Sequence, residues 1–191
     1  MTGHPNAEQE KARRFRDAAL PYIDDVFALA RYLMRNAEDA EDMVQECYLR
    51  AFQHFESYRG PAMKPWLLAI LRNACYSEFT RRGKREVSLD DPWDDDRAAE
   101  QMPIWQEPST SPDVSLIRAH DDETIRRLIA TLPQPFREVI VLREVNDLSY
   151  QEIAEVAGVP IGTVMSRLAR ARSMLRSAWN LAEAPMLETV P

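Results

Sequence analysis

The chain contains few of the residues that form disulfide bonds in small proteins or bind metals. Its 191 residues include only two cysteines, Cys47 and Cys75, which form no CxxC pair, and three scattered histidines, His4, His54 and His120. This spacing argues against a zinc finger and against a disulfide framework. We therefore predict neither a metal site nor a cofactor, and we expect the histidines to be structural or surface residues.

Long apolar runs and glycine are also scarce. The longest uncharged apolar run covers residues 65–71, far below the ~20 residues that cross a bilayer. The first ten residues are polar and lack the apolar core of a signal peptide. The sequence therefore predicts a cytoplasmic protein without membrane insertion. Five glycines and few alternating β-branched runs favour an all-α fold.

Charge is distributed unevenly along the chain. The net charge is −7, but residues 86–122 alone hold 11 acidic and 2 basic side chains, and the segments on either side are nearly neutral. Four prolines and a loss of periodicity predict that this acidic stretch is a linker. Its large apolar residues would either dock a partner or fold back on a neighbouring domain, and both alternatives stay open: Trp93, Met102, Ile104 and Trp105.

Apolar residues at helical spacing predict several helices before residue 85. The first pattern starts near Phe15 and crosses Pro21, which is tolerated only where a new helix begins. Asn36 is placed to cap the next helix, and acidic residues from Asp39 onward load its first turn, as the helix dipole favours. A further helix is predicted from Pro65, and it ends in a basic cluster.

Residues 149–172 have the spacing of a helix-turn-helix. Ser149 is a suitable N-cap, and Gly158 can take the positive φ that ends a helix. Pro160 and Gly162 are expected to break the chain again before the second helix. That helix carries hydroxyls and arginines on its predicted outer face: Thr163, Ser166, Arg167 and Arg170.

A helix of this kind suits the DNA major groove, because short hydroxyls can contact base edges and arginines can hold phosphates. The alternative is a solvated helix end in an ordinary bundle, since the helix dipole also favours cations there. Two more helices, predicted from Asp121 to Leu132 and from Pro135, would complete a compact domain.

Aromatic and basic side chains crowd the loop before the helix predicted from Pro65. Tyr58 and Arg59 lie in this loop, with Phe55 and Trp66 at its two sides. An aromatic surface beside cations is how proteins hold the unstacked bases of a single strand. For Phe55 and Trp66 a plain core role is the preferred interpretation, whereas Tyr58 and Arg59 are better candidates for contact.

Two sets of motifs, in this order, resemble the bacterial sigma factors of the extracytoplasmic-function (ECF) group within the sigma-70 family. The resemblance covers about residues 12–85 and 118–178. The N-terminal signature is Asn-Ala-Glu-Asp-Ala-Glu-Asp-Met-Val-Gln-Glu from residue 36, Tyr-Arg-Gly from 58 and Trp-Leu-Leu-Ala-Ile-Leu-Arg-Asn from 66. The C-terminal signature is Leu-Pro-x-x-x-Arg-Glu-Val from 132, Leu-Ser-Tyr-Gln-Glu-Ile-Ala from 148 and Gly-Thr-Val-Met-Ser-Arg-Leu-x-Arg-Ala-Arg from 162.

The resemblance implies an all-α chain of two helical domains joined by a flexible acidic linker. It implies no enzymatic activity and no cofactor. Such a protein would direct core RNA polymerase to specific promoters in response to a stress or environmental signal, and would help to melt the −10 element. The implied segments are a flexible N-terminus (1–11), sigma domain 2 (12–85), the linker (86–120), sigma domain 4 (121–178) and a tail (179–191).

The resemblance also implies protein partners. In the family, the acidic helix of domain 2 binds the clamp coiled coil of the largest polymerase subunit, and the flap of the second subunit is a further contact. An anti-sigma factor is another implied partner. The residues that match the clamp-binding positions are Asp39, Asp42, Gln45 and Glu46. Capping of the helix dipole alone would explain Asp39 and Asp42, but it would not explain Gln45 and Glu46.

Two groups of residues match the family's promoter-reading positions. One group would take the flipped base of the −10 element, and the other would read the −35 element. Many relatives have a basic residue where this chain has Met165, so one −35 contact is expected to be missing. The −10 group is Tyr58, Arg59, Trp66 and Asn73, and the −35 group is Thr163, Ser166, Arg167 and Arg170.

Two other functions are alternatives to this one. A DNA-binding regulator could act without polymerase, with the N-terminal helices serving as a sensor or a dimer domain. The acidic helix and the aromatic, basic loop argue against it. A hydrolase or metal enzyme would need the acids of that helix and His54 to converge, but the E-x-x-H spacing is missing.

Replacing Arg167 with Ala should weaken promoter binding by ~1–3 kcal/mol and relax the preference at one −35 position, if Arg167 contacts a base. Replacing Arg176 with Ala should lower binding uniformly and flatten its salt dependence, as loss of a phosphate contact does. The measurement is binding of a set of −35 variants by the chain together with core polymerase. Identical sequence profiles for the two variants would contradict the base-reading role of Arg167.

Overall fold

The computed structural model describes residues 5–34, 36–82 and 122–183. His4, His120 and the segment expected to be an acidic linker lie outside these ranges. The apolar residues singled out in that segment lie outside them as well: Trp93, Met102, Ile104 and Trp105.

The described residues form helices and contain no strand, which confirms the predicted all-α fold. In the N-terminal half, short 3₁₀ turns at Leu20–Tyr22 and Phe55–Ser57 follow the first and third helices. The helices of this half are α1 (Pro5–Ala19), α2 (Ile23–Leu33), α3 (Ala37–His54) and α4 (Met63–Arg81). Those of the C-terminal half are α5 (Asp122–Thr131), α6 (Gln134–Glu144), α7 (Tyr150–Ala157) and α8 (Ile161–Glu183).

Local sequence signals explain where the N-terminal helices begin and end. Pro21 lies in the 3₁₀ turn that separates α1 from α2, because proline cannot donate the hydrogen bond that a continuous helix would need. The side chain of Asn36 caps α3 by accepting a hydrogen bond of 2.7 Å from the Asp39 amide. Pro65 lies in the first turn of α4, where its missing N–H does no harm.

Both cysteines serve the core of the N-terminal half. Cys47 is fully buried on α3, and its thiol donates a hydrogen bond of 3.4 Å to the carbonyl of Leu67 on α4. Cys75 is also buried, and neither cysteine is in a disulfide. Burial raises the pKa of each thiol to about 12. Both side chains therefore pack as small neutral groups that join the two helices.

The helix-turn-helix forms as predicted, with one difference. Ser149 and Glu152 make a complete capping box, and Gly158 ends α7 with φ of 67°. Gly162, however, lies inside the first turn of α8 rather than in a break before it. The first bond of α8 runs from the amide of Val164 to the carbonyl of Pro160 across 3.2 Å, so the helix continues through this glycine.

Two helices extend past the domain limits that the resemblance implies. Helix α1 starts at Pro5, within the segment expected to be flexible, and α8 continues to Glu183, within the expected tail. The Lys11 ammonium lies 4.6 Å from the centre of the Phe52 ring and ties the start of α1 to α3. In α8, partly buried Leu175 packs against the core and carries the helical pattern beyond the helix-turn-helix.

The two halves pack against each other and share one core. Helix α2 lies against α6, and α4 lies against α7. One cluster of buried apolar side chains runs through both halves. Leu67, Leu68 and Leu71 supply its N-terminal part, and Ile140 and Ile153 supply much of its C-terminal part. We call the contact between the halves the seam.

Polar groups are buried within the seam. The side chain of Glu138 on α6 is only 1% exposed. One carboxylate oxygen accepts a hydrogen bond from the Arg72 guanidinium, and the other accepts one of 2.7 Å from the Tyr76 hydroxyl. Asn146 is fully buried and donates a 2.9 Å hydrogen bond to the carbonyl of Asp25. The partners of these groups thus come from the other half of the chain.

The charges of the seam depend on one another. Burial acts to lower the pKa of Arg72, but the charge of Glu138 and hydrogen bonds to Glu138 and Tyr76 raise it above its usual value. Burial and the carboxylate of Glu138 raise the pKa of Tyr76 well above its usual range. A buried carboxylate costs several kcal/mol of desolvation and is tolerated only with such partners. The seam is therefore specific, and it is sensitive to the loss of one charge.

Replacing Glu138 with Gln should loosen the seam by roughly 3–5 kcal/mol, the usual cost of breaking a buried ion pair from one side. Replacing both Arg72 with Met and Glu138 with Leu should keep the halves together, because apolar pairs often replace buried ion pairs without loss. The measurements are the radius of gyration by small-angle scattering and the free energy of unfolding in denaturant.

Glu144→Gln is the matched control, since Glu144 pairs with Arg172 at 2.8 Å inside the C-terminal half. It should lower stability without expanding the molecule. An equal radius of gyration for the native chain and for Glu138→Gln would contradict the role given to the seam.

Candidate nucleic-acid and polymerase interfaces

The first residue predicted to bind polymerase is engaged inside domain 2. The Asp39 carboxylate accepts two hydrogen bonds of 2.7 Å from the Arg82 guanidinium at the end of α4. Arg82 and Arg81 also bond Glu78, and these hydrogen bonds lower the pKa of Glu78 to about 2. In this structure Asp39 therefore joins α3 to α4, and its carboxylate is only partly accessible.

The other three residues of that set lie along the outer face of α3. Asp42 and Gln45 are exposed, and Glu46 is partly exposed and pairs with Arg50 at 2.6 Å. Leu49 continues the same face and is 60% exposed, the most exposed of the large apolar side chains described. Sequence reasoning missed Leu49. Its exposure could have been inferred from its position, because Leu49 comes three residues after Glu46 and lies outside the buried stripe of α3.

The aromatic loop brings two of the predicted −10 residues together. The rings of Tyr58 and Trp66 are stacked with centroids 4.5 Å apart and a tilt of 32°. Arg59 is exposed, and its guanidinium donates hydrogen bonds of 2.6 and 2.8 Å to the carbonyls of Glu56 and Tyr58. These bonds hold a positive charge at the loop.

Asn73 and Phe55 occupy different positions from this pair. Asn73 is exposed and lies seven residues after Trp66, so the two share a face of α4. Phe55 packs edge-on against Phe15 with ring centroids 5.3 Å apart, in agreement with a core role. Trp66 is only partly buried, so it both packs against the core and lines the loop.

On α8 the predicted −35 residues are partly buried rather than fully outward. The hydroxyl of Ser166 donates a 3.0 Å hydrogen bond to the carbonyl of Thr163. The most exposed residues in the first turns of α8 are uncharged. Met165 is one of them, and it is 41% exposed. Sequence reasoning treated Met165 only as a missing basic contact. Helical spacing gave no signal for this exposure, because Met165 lies one residue from buried Val164 and three from buried Leu168.

Two arginines of α8 face the rest of the protein. The positive charge of Arg167 offsets part of the rise in the pKa of Tyr76, so Arg167 lies near the seam. Arg172 pairs with Glu144 on α6 at 2.8 Å and has a structural role. Arg170 is partly buried. Among the predicted readout residues, Arg167 is therefore within electrostatic range of the seam.

Other classes of site find no support in the described ranges. These residues contain no cluster of three or more potential metal ligands. His54 is exposed at the end of α3. Among the helices that the structure describes, none has the length and apolar character needed to cross a membrane.

Both halves match models of known protein regions. Residues 20–85 match the model described as Sigma-70 region 2, and residues 122–175 match Sigma-70, region 4. The two matches together cover more than half of the chain and contain all the predicted interface residues. They define the class as a two-region sigma-70 protein.

Similar proteins place the chain more closely. It is 31% identical to the RNA polymerase sigma-H factor of Pseudomonas aeruginosa over 172 residues, which cover 87% of this chain and 86% of that protein. It is 33% identical to the ECF RNA polymerase sigma-E factor of Haemophilus influenzae over 150 residues, 78% of each chain. The chain therefore belongs to the sigma-70 family and to its ECF group.

Solved structures show the same fold. The sigma factor RpoE of Bartonella quintana, in complex with the anti-sigma factor NepR, is 26% identical with a TM-score of 0.67, covering 88% of this chain and 98% of that one. CnrH in complex with the cytosolic domain of CnrY has a TM-score of 0.61 at 20% identity, covering 92% and 94%. The function of the chain is promoter-directed initiation of transcription by RNA polymerase, as the ECF group and sigma regions 2 and 4 indicate.

Reversing charge with Asp42→Lys and Glu46→Lys should weaken association with core polymerase several-fold or more, because complementary charge contributes to binding and specificity. Leu49→Ala should weaken it as well, since truncation of an apolar anchor is costly when the partner covers it. Co-purification and titration with core enzyme measure both effects.

Glu155→Lys is the control, because it makes the same charge change at an exposed position of α7. It should leave the affinity for core polymerase unchanged. The helical content of all variants should stay that of the native chain. Native affinity in the Asp42, Glu46 double variant would remove these residues from the interface.

Proposed function

We propose that this ECF sigma factor works by three surfaces that act in sequence. The outer face of α3, with Asp42, Gln45, Glu46 and Leu49, binds the clamp coiled coil of core polymerase. The loop that begins at Tyr58 presents Arg59, and this guanidinium, together with Trp66 and Asn73 of α4, captures an unstacked base of the −10 element. The N-terminal turns of α8 read the −35 element through Thr163, Ser166, Arg167 and Arg170, which positions the duplex before the base is captured.

The observation that carries this proposal is the different exposure of the three surfaces. The α3 face is open to a partner while the halves are closed: Asp42 and Gln45 are exposed, as is the apolar Leu49. On the readout helix, by contrast, Arg167 is only partly exposed and lies within electrostatic range of Tyr76 at the seam. Polymerase can therefore bind first, and the DNA-reading surfaces become fully available when the halves separate.

Binding to polymerase would also solve the problem of weak DNA contacts. When both domains are held on one partner, the second DNA contact becomes intramolecular, and the effective concentration of that site is high. Capture of an unstacked base then offsets the few kcal/mol needed to take it out of the duplex. The chain itself would catalyse no chemical step, and its site of action would be the cytoplasm.

Met165 adds to the −35 surface on this proposal. An exposed apolar side chain on a readout helix can contact the methyl group of thymine, which polar side chains read less well. An anti-sigma factor would hold the closed arrangement, because the chain resembles Bartonella RpoE over 88% of its length and that protein was solved with its anti-sigma factor NepR.

The affinity for promoter duplex should rise about a hundred-fold or more when core polymerase is added at physiological salt, in line with the usual gain from linked sites. The chain alone should bind duplex weakly and in a salt-sensitive manner, because its two helical halves are nearly neutral. A titration with and without core enzyme, followed by run-off transcription from a genomic fragment, measures this.

The Asp42→Lys, Glu46→Lys variant is the control in that titration, and its affinity with core enzyme should stay near that of the chain alone. Tight, sequence-specific duplex binding by the chain without polymerase would instead support a stand-alone DNA-binding regulator.

A further inference from the structure

The stack between Tyr58 and Trp66 closes the surface that would receive the promoter base. The Tyr58 ring lies on one face of the indole, with centroids 4.5 Å apart. Gly60 covers the ring from another side, because a Cβ at this position would lie 2.6 Å from Cε2 of Tyr58 and 3.0 Å from its hydroxyl oxygen. The ring is therefore held between an indole and a glycine backbone.

The environment of the Tyr58 hydroxyl is energetically unfavourable in this position. It is buried and has no hydrogen-bond partner among the described residues. A buried hydroxyl without a partner loses its bonds to water and gains none, so it disfavours the stacked position. Stacking on the Trp66 ring, in contrast, favours this position of the Tyr58 ring. The cost of the unpartnered hydroxyl and the gain from stacking are of the same order, so little free energy is needed to displace the ring.

The surrounding loop can stay in place when the ring moves. The Arg59 guanidinium bonds the carbonyls of Glu56 and Tyr58, and these bonds involve the backbone rather than the tyrosine side chain. The Arg59 charge is also held beside the stack, where the phosphate of a single strand would pass. Movement of the Tyr58 side chain alone would thus expose an aromatic face next to a fixed cation.

We propose that the Tyr58 ring is a stand-in for the promoter base: it covers the Trp66 indole in the free protein, and an unstacked base displaces it. Gly60 is the positioning residue that leaves room for the ring in the resting state. The displaced hydroxyl regains hydrogen bonds to water, and the base stacks on the indole in its place. This inference rests on the proposed function, and its ligand is a nucleobase of single-stranded DNA.

Two substitutions at one position separate this idea from a simple contact role. Tyr58→Phe keeps the ring and removes the unpartnered hydroxyl, so the stand-in should hold the indole more firmly and base capture should weaken by about five-fold or more. Tyr58→Ala uncovers the indole, so capture should be unchanged or stronger. If Tyr58 were instead part of the platform, Tyr58→Phe would be neutral and Tyr58→Ala would weaken capture.

The experiment uses the full chain bound to core polymerase. The probe is a single-stranded oligonucleotide of the −10 region of a promoter that this complex transcribes, with 2-aminopurine at each position in turn. Fluorescence reports both affinity and unstacking. Trp66→Ala should abolish capture at one position, and Tyr48→Phe is the control, because its hydroxyl bonds the Ala19 carbonyl at 3.1 Å away from the loop.

Weakened capture in Tyr58→Phe together with full capture in Tyr58→Ala would support the stand-in. Unchanged capture in Tyr58→Phe, or lost capture in Tyr58→Ala, would overturn it while leaving the proposed function intact. Failure of the native complex to prefer its own −10 strand over an unrelated one would instead overturn the proposed function.

Discussion

Glu138 forms the contact on which the arrangement of the two halves depends. Its carboxylate is almost fully buried on α6, yet its hydrogen bonds run to Arg72 and Tyr76 on α4 of the other half. A carboxylate in this position is stable only while the seam is closed or while water reaches it. The carboxylate therefore has partners both when the seam is closed and when it is fully hydrated. A half-open state that buries an unpaired charge is disfavoured.

This constraint links packing to function. If the seam were entirely apolar, separation of the domains would expose a large hydrophobic surface to water. Charged groups in the seam are instead hydrated as soon as they are exposed. On the proposed function, the closed seam would leave the predicted −35 residues only partly accessible, and its opening would release them. On the same proposal, polymerase contacts the α3 face while the halves are closed, and only the later engagement of both domains has to offset the free energy of the seam.

Much of the local structure could be predicted from the sequence because its signals are local. Asn36, Ser149 and Gly158 act on the residues next to them, and the helices begin or end there. The seam could not be predicted, because Arg72 and Glu138 are 66 residues apart and each has the sequence context of a surface charge. For the same reason, the pairing of Asp39 with Arg82 and the exposure of Leu49 became visible only once the helices were packed.

The interdomain distance tests the central claim most directly. Fluorescent labels at exposed positions of α3 and α7 would report energy transfer between the two halves of the native chain. The account predicts high transfer in the free protein and a marked loss when core polymerase is added. Low transfer in the free protein, or high transfer that core polymerase leaves unchanged, would contradict it.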